Sequence, residues 1–143
     1  MSDVLIDSCV VLDLTDPDGA WFEWSASTLE TLDAGTTFLI DPVVYAEVSV
    51  GFERVEAVEA LFARLDMVYR ETPRAAGFLA GKAFLQYRRS GGTRTGVLPD
   101  FLIGAHAAVS GYRLMTRDTR RFATHFPTVV LISPTGQGRD RPG

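Results

Sequence analysis

Five short apolar runs constrain this chain more than anything else in it. They are Val4-Leu-Ile, Phe38-Leu-Ile, Met67-Val-Tyr69, Leu114-Met115 and residues 129–132. Runs this short are strands rather than helices, and consecutive apolar residues mean that both strand faces are buried. Longer segments with helical character lie between them. Ser8 through Leu14 suggests a short helix. A second runs from Ala20 to Asp33, with Gly35 as its stop. Asp41-Pro42 reads as an N-cap followed by Pro at the first helical position, opening a helix from Val43 to about Val50. Val55, Val58, Leu61, Phe62 and Leu65 recur at helical spacing. Thr72-Pro73 is another cap-plus-Pro start, for a helix to about Arg89, and a Gly-rich loop at 90–96 follows. A helix from Pro99, a turn and a strand lead to Asp118, and a short basic helix continues to about Ala123. Strands alternating with helices predict an α/β fold of three layers, α/β/α, around a parallel sheet of about four or five strands. Residues 1–133 are expected to form one domain. Residues 134–143, rich in Gly, Pro and Arg, are expected to be a disordered tail.

The 143 residues are 46% hydrophobic, enough for a core, and a mean hydropathy of +0.09 excludes a disordered chain. The single cysteine, Cys9, rules out an internal disulfide and fits a reducing compartment. No basic segment precedes the first apolar run, so a secretory signal is not expected. No apolar run approaches the roughly 20 residues that span a bilayer. A soluble cytoplasmic protein without membrane contact is the expectation. The net charge of −4 hides a division. Residues 1–72 carry 15 acids and 3 bases, residues 73–143 carry 3 acids and 11 bases. Such asymmetry suggests one surface able to meet a polyanion, although a solvated Arg-rich face would look the same.

Four acids stand out against the apolar pattern, where an unpaired buried charge is expensive. Asp7 and Asp118 fall at the carboxyl ends of predicted strands, where ligands bind in open α/β sheets. Glu47 shares a helical face with Val43, Val44 and Gly51, and so points toward the core side. Asp100 follows Pro99 in the first turn of its helix, on the face of Ile103, Gly104 and Ala107. Each has a structural alternative: a cap for Asp118, a helix-edge side chain for Glu47, a favourable first-turn charge for Asp100. Asp41 has a sufficient structural job as a cap. Four carboxylates at one end of one sheet would repel each other and be partly protonated without counter-charge. A divalent ion would resolve this, and an all-oxygen ligand set suits Mg²⁺ or Mn²⁺ rather than Zn²⁺. Such a centre can activate water and assist displacement at phosphorus.

The segments Val4-Leu-Ile-Asp-Ser-Cys-Val-Val-Leu12, Tyr45-Ala-Glu-Val48, Leu98-Pro-Asp-Phe-Leu-Ile-Gly-Ala-His-Ala107 and Leu114-Met-Thr-Arg-Asp118 resemble, in order and spacing, the PIN domain ribonucleases, specifically the VapC-type toxins of toxin–antitoxin pairs. The resemblance spans residue 3 to about residue 133. It implies a PIN-like domain, Mg²⁺- or Mn²⁺-dependent RNA cleavage, a homodimer and inhibition by a cognate antitoxin. It assigns Asp7, Glu47, Asp100 and Asp118 to the acidic, metal-binding and catalytic site, with Ser8 and Thr116 as supporting hydroxyls. Cys9 sits where a small polar residue is common, and its sulfur is expected to pack.

Arg88, Arg89 and Arg94 flank the loop before Asp100, and Arg117, Arg120 and Arg121 surround Asp118, so both groups are candidates for phosphate contact with RNA. His106 is expected to pack on its helix and His125 to lie in an exposed turn. No His or Cys spacing supports a zinc site. Lys82, the only lysine, is expected to have no site role. Trp21, Phe22 and Trp24 are expected in the core, with one or two possible at a partner groove. Two other classes compete with a ribonuclease. One is a non-catalytic PIN-fold module that only binds protein. The other is a phosphoryl-transfer domain, against which Asp7-Ser-Cys9 lacks a second Asp and the last strands lack a lysine.

Overall fold

The computed structural model describes residues 3–32 and 34–134; Asp33 and residues 135–143, most of the expected tail, lie outside the described residues. In chain order the elements are β1 (Val4–Ile6), α1 (Ser8–Asp13), α2 (Phe22–Thr31), β2 (Phe38–Ile40), α3 (Pro42–Ser49), α4 (Val55–Arg64), β3 (Met67–Tyr69), α5 (Arg74–Arg89), α6 (Leu98–Ser110), β4 (Arg113–Met115), α7 (Thr119–His125) and β5 (Leu131–Ile132). The alternation expected from the apolar runs is present, and every strand pairing is parallel.

The strand order is β3-β2-β1-β4-β5. Val4 pairs with Phe38 on one side and Arg113 on the other, so β1 is central. The chain winds outward from β1 through β2 to β3, then returns across the sheet to place β4 on the other flank of β1. The winding direction therefore reverses between β1 and β4. In an open parallel sheet this reversal leaves a crevice beyond the carboxyl strand ends. Val4, Leu5 and Ile6 have no exposed surface, and neither does Leu114 or Met115. Burial on both faces explains why these strands read as unbroken apolar runs. Among the described residues no helix is long and apolar enough to cross a membrane.

α6 lies close to its neighbours because its sequence allows it. A Cβ built on Gly104 would come within 2.4 Å of the Phe126 ring. Gly104 therefore lets Phe122 of α7 and Phe126 just after it pack directly onto the α6 backbone. Gly111, with φ +72°, ends α6 in the left-handed conformation that glycine adopts without steric cost.

Three local expectations need correction. Thr72 does not cap α5: Pro73 occupies the N-cap position with extended backbone, the helix starts one residue later at Arg74, and the Thr72 hydroxyl is buried without a hydrogen-bond partner among the described residues. β5 is shorter than the apolar run 129–132, because Val129 is held in a turn by a bond from its N–H to the Phe126 carbonyl. His125 is the last residue of α7 rather than part of an exposed turn, and its ring centre lies 4.7 Å from that of Phe101, the two rings tilted at 56°.

Candidate active site

β1 ends directly before Asp7. The Asp7 N–H continues the β1–β4 ladder by donating to the Met115 carbonyl at 3.0 Å, and its side chain turns to cap α1, accepting from the Ser8 N–H at 2.8 Å. Thr116 follows β4, and its Oγ1 donates to Asp7 Oδ2 at 2.7 Å while accepting the Asp118 N–H at 3.0 Å. One buried hydroxyl thus ties together the two acids that leave neighbouring strands. Glu47 projects from α3, two-thirds of the way along it, and accepts from Ser8 Oγ at 2.7 Å. Asp100 stands in the first turn of α6, where Arg121 of α7 donates to its Oδ2. The same Arg121 Nη1 lies 3.6 Å from Asp118 Oδ2. Asp118 holds the N-cap position of α7 but makes no side-chain cap bond, so a capping role does not account for it.

The electrostatics show that these acids share one environment. Burial pushes the Asp7 carboxyl above its ordinary value, against hydrogen bonds from Thr116, Ser8 and Cys9, and the Asp118 charge pushes the same way. Burial also raises Glu47, with a contribution from Asp7. Asp100 is raised from 3.8 to about 6, first by burial; Arg121 opposes the rise, and Asp7, Glu47 and Asp118 each add to it. Asp7, Glu47 and Asp100 are made less acidic first by burial and then by neighbouring carboxylates. Among the described residues no group of three or more His, Cys, Asp or Glu side chains is gathered closely enough to hold one ion as it stands. Asp100 and Asp118 are drawn to Arg121, and Glu47 is held by Ser8. The donor chemistry nonetheless fits a hard divalent ion. All the donors are carboxylate or hydroxyl oxygens, burial raises three of the carboxylates, and a guanidinium already stands between two of the acids.

Cys9 Sγ lies 3.6 Å from Asp7 Oδ2. Burial, then the Asp7 charge, pushes its thiol up to about 12, so it stays protonated and poorly nucleophilic. On its other side Cys9 lines a pocket of about 400 Å³ with Trp21, Phe22 and Arg117. Arg117 makes a two-pronged pair with Asp13, at 2.8 and 3.0 Å, and its guanidinium sits 5.2 Å from the Trp21 ring centre. Trp24 packs against the core. Arg120 is exposed. Arg88, Arg89 and Arg94 are exposed as well; Arg88 stacks on Phe84, and the Arg94 N–H donates to the Tyr87 hydroxyl. None of these three makes an ion pair with the four acids. Lys82 lies over the Phe78 ring on the surface of α5.

Two contacts had not been anticipated. Asp41 does cap α3, accepting from the Val44 N–H at 2.9 Å, but its second oxygen lies 3.0 Å from His106 Nδ1, and both side chains are sealed from solvent. His106 is therefore a polar link between α3 and α6 and not only a packing residue. The second is the hold of Arg121 on Asp100. The sequence offers a faint signal for the first, a histidine on the buried stripe of a small-residue helix. It offers none for the second beyond a basic residue one turn after Asp118.

A chain of VapBC2 from Rickettsia felis, bound to a DNA fragment from its promoter, superposes with a TM-score of 0.72 over 92% of this chain and 98% of that one, at 16% identity. The fold is that of VapC-type PIN domains. VapBC-1 from nontypeable Haemophilus influenzae gives a TM-score of 0.69 at 17% identity, over 92% and 97% of the two chains. Mycobacterium tuberculosis VapC20, a toxin that cleaves the sarcin–ricin loop, gives 0.63 at 15% identity, over 92% and 99%. No family model matches the chain, and no curated protein matches it in sequence. The likeness read from four short motifs is thus present as a likeness of fold along nearly the whole chain.

Proposed function

We propose that this chain is a divalent-metal-dependent endoribonuclease, the toxin of a type II toxin–antitoxin pair acting in the cytoplasm. The observation that carries the proposal is the convergence of Asp7, Glu47, Asp100 and Asp118 at the β1–β4 reversal, with three of the four held above their ordinary pKa. Asp7, Asp100 and Asp118 would hold Mg²⁺ or Mn²⁺, with Glu47 completing the acidic set. When bound, the metal supplies an activated water and neutralises charge developing at phosphorus. Thr116 fixes the Asp7 carboxylate relative to the Asp118 backbone, and Ser8 orients Glu47. The arginines of the second half offer positive charge for the RNA backbone, with exposed Arg88, Arg89, Arg94 and Arg120 the most accessible. The VapBC neighbours contain an antitoxin, and by analogy the partners here would be a cognate antitoxin and a second copy of the chain.

The test is cleavage of a mixed RNA pool by purified protein with Mg²⁺ or Mn²⁺. Wild type should cut, EDTA should stop it, and Asp7→Asn or Asp100→Asn should lower the rate by at least about 100-fold, the scale of lost electrostatic stabilisation, with unchanged circular dichroism. Cutting by folded Asp100→Asn at the wild-type rate would remove the proposal. A second reading, a binding module without catalysis, draws on the occupation of two acids by Arg121. A folded protein that binds a partner chain but cuts no RNA with either metal would favour it.

A further inference from the structure

Arg121 is placed unlike the other arginines. Its side chain is 13% exposed, whereas that of Asp118, with which it pairs, is 51% exposed. It reaches inward, to an acid on α6 and an acid beyond β4, and engages the Oδ2 of each. Arg117, the other partly buried arginine near the site, is committed to Asp13 and the Trp21 ring. Arg121 is therefore the cation that the acidic site holds.

We propose that Arg121 is a built-in counter-ion that keeps this site closed to divalent metal, so that metal binds only as the Arg121 side chain withdraws. The inference rests on the metal-site reading given above. An ion held by the Asp100 and Asp118 carboxylates would have to share them with the guanidinium if Arg121 stayed, and the two cations would repel strongly in a partly buried site. Arginine cannot relieve this by losing a proton, since it stays charged in proteins. It has to move. Arg121 holds both acids through a single Nη1, Asp100 across to α6 and Asp118 three residues before it at the start of α7, so rotation of one side chain releases both without unfolding an element. Only the fraction of molecules with Arg121 withdrawn binds metal, and the apparent affinity falls by that fraction.

Mn²⁺ binding to the whole chain without RNA, followed by the electron paramagnetic resonance of free Mn²⁺, tests this. Arg121→Gln and Arg121→Met should each bind Mn²⁺ about tenfold more tightly than wild type, the scale of one charge pair near a protein surface. Arg121→Lys, which keeps the charge, should stay near wild type. Unchanged or weaker binding in both neutral variants would overturn the inference, and weaker RNA binding alongside would move Arg121 to the substrate-contact arginines. No Mn²⁺ binding in either wild type or neutral variants would also overturn it, while RNA cleavage by wild type decides the nuclease reading separately. A second measurement needs no variant. Titrating Mg²⁺ into wild type should shift the Arg121 Nη–H resonances from a paired to a solvent-exposed position; resonances unmoved while metal binds would show that Arg121 does not withdraw.

Discussion

Thr116 does the most with the fewest atoms. Its hydroxyl donates a hydrogen bond to Asp7 Oδ2 and accepts one from the Asp118 N–H, and it has no exposed surface. Valine has nearly the same shape and neither capacity. Thr116→Val should leave the Asp118 N–H without its acceptor and Asp7 with one hydrogen bond fewer, at a cost of about 1–3 kcal/mol for the buried group left unsatisfied. Asp7 is already raised by burial, and Thr116 is the largest influence holding it down, so the variant should also bind Mn²⁺ more weakly. Serine in its place should restore both properties. Urea denaturation and Mn²⁺ titration of the two variants give the result, and a Thr116→Val protein as stable as wild type would show that water replaces the hydroxyl. Cys9 makes the opposite case. A thiol this close to Asp7 could look reactive, but its raised pKa keeps it a packing group.

At the level of elements, the Asp41–His106 contact joins the helix that carries Glu47 to the helix that carries Asp100. Asp41 lies at the start of α3 and His106 midway along α6, each six residues in sequence from the acid on its own helix. Removing one partner of a buried hydrogen-bonded pair leaves the other unsatisfied, at a cost of about 1–3 kcal/mol. His106→Leu should therefore destabilise the protein by about 1–3 kcal/mol. Adding Asp41→Asn to it should cost less than the two single losses combined. Strictly additive losses in urea would mean the two side chains act independently.

These same residues mark what can be read from a one-dimensional pattern. Val4-Leu-Ile and Leu114-Met115 are legible as central strands because burial on both faces leaves no room for polar alternation. Asp7 and Asp118 are legible as site candidates because strand ends are where such acids can collect. The Asp41 cap is legible because its partner, Val44, is three residues away. The Asp41–His106 link spans 65 residues and depends on how α6 crosses α3, which no local spacing reports. Thr72 misleads for a different reason. Threonine before proline looks like a cap, but Pro73 is itself extended, and the helix starts too late for the hydroxyl to reach it.

For the molecule as a whole, the divided charge pattern becomes a folding problem at the β1–β4 reversal. The acidic first half brings Asp7 and Glu47 there. The basic second half brings two more acids, Asp100 and Asp118, together with Arg121 to offset them. The offset is incomplete, since Asp100 remains raised to about 6 despite Arg121. Between its ordinary value of 3.8 and about 6, the folded protein holds a proton on Asp100 that the unfolded chain has released. The folded state binds more protons in that window, so the Asp100 contribution to stability falls as pH rises through it and levels off above. Asp7 and Glu47 are raised too and act with the same sign. Asparagine at 100 cannot ionise. In EDTA, Asp100→Asn should thus gain on wild type between pH 4 and pH 7.5, by on the order of 1–2 kcal/mol after allowing for the partial exposure of Asp100. At pH 7.5, saturating Mn²⁺ should stabilise wild type, because an ion that binds only the folded state shifts the equilibrium toward it, and should do little for Asp100→Asn. Guanidinium unfolding curves of both proteins at the two pH values, with and without Mn²⁺, measure each quantity. A stability difference that does not change with pH would mean that Arg121 neutralises Asp100 completely. The acidic cluster would then impose no cost on folding for a metal to relieve.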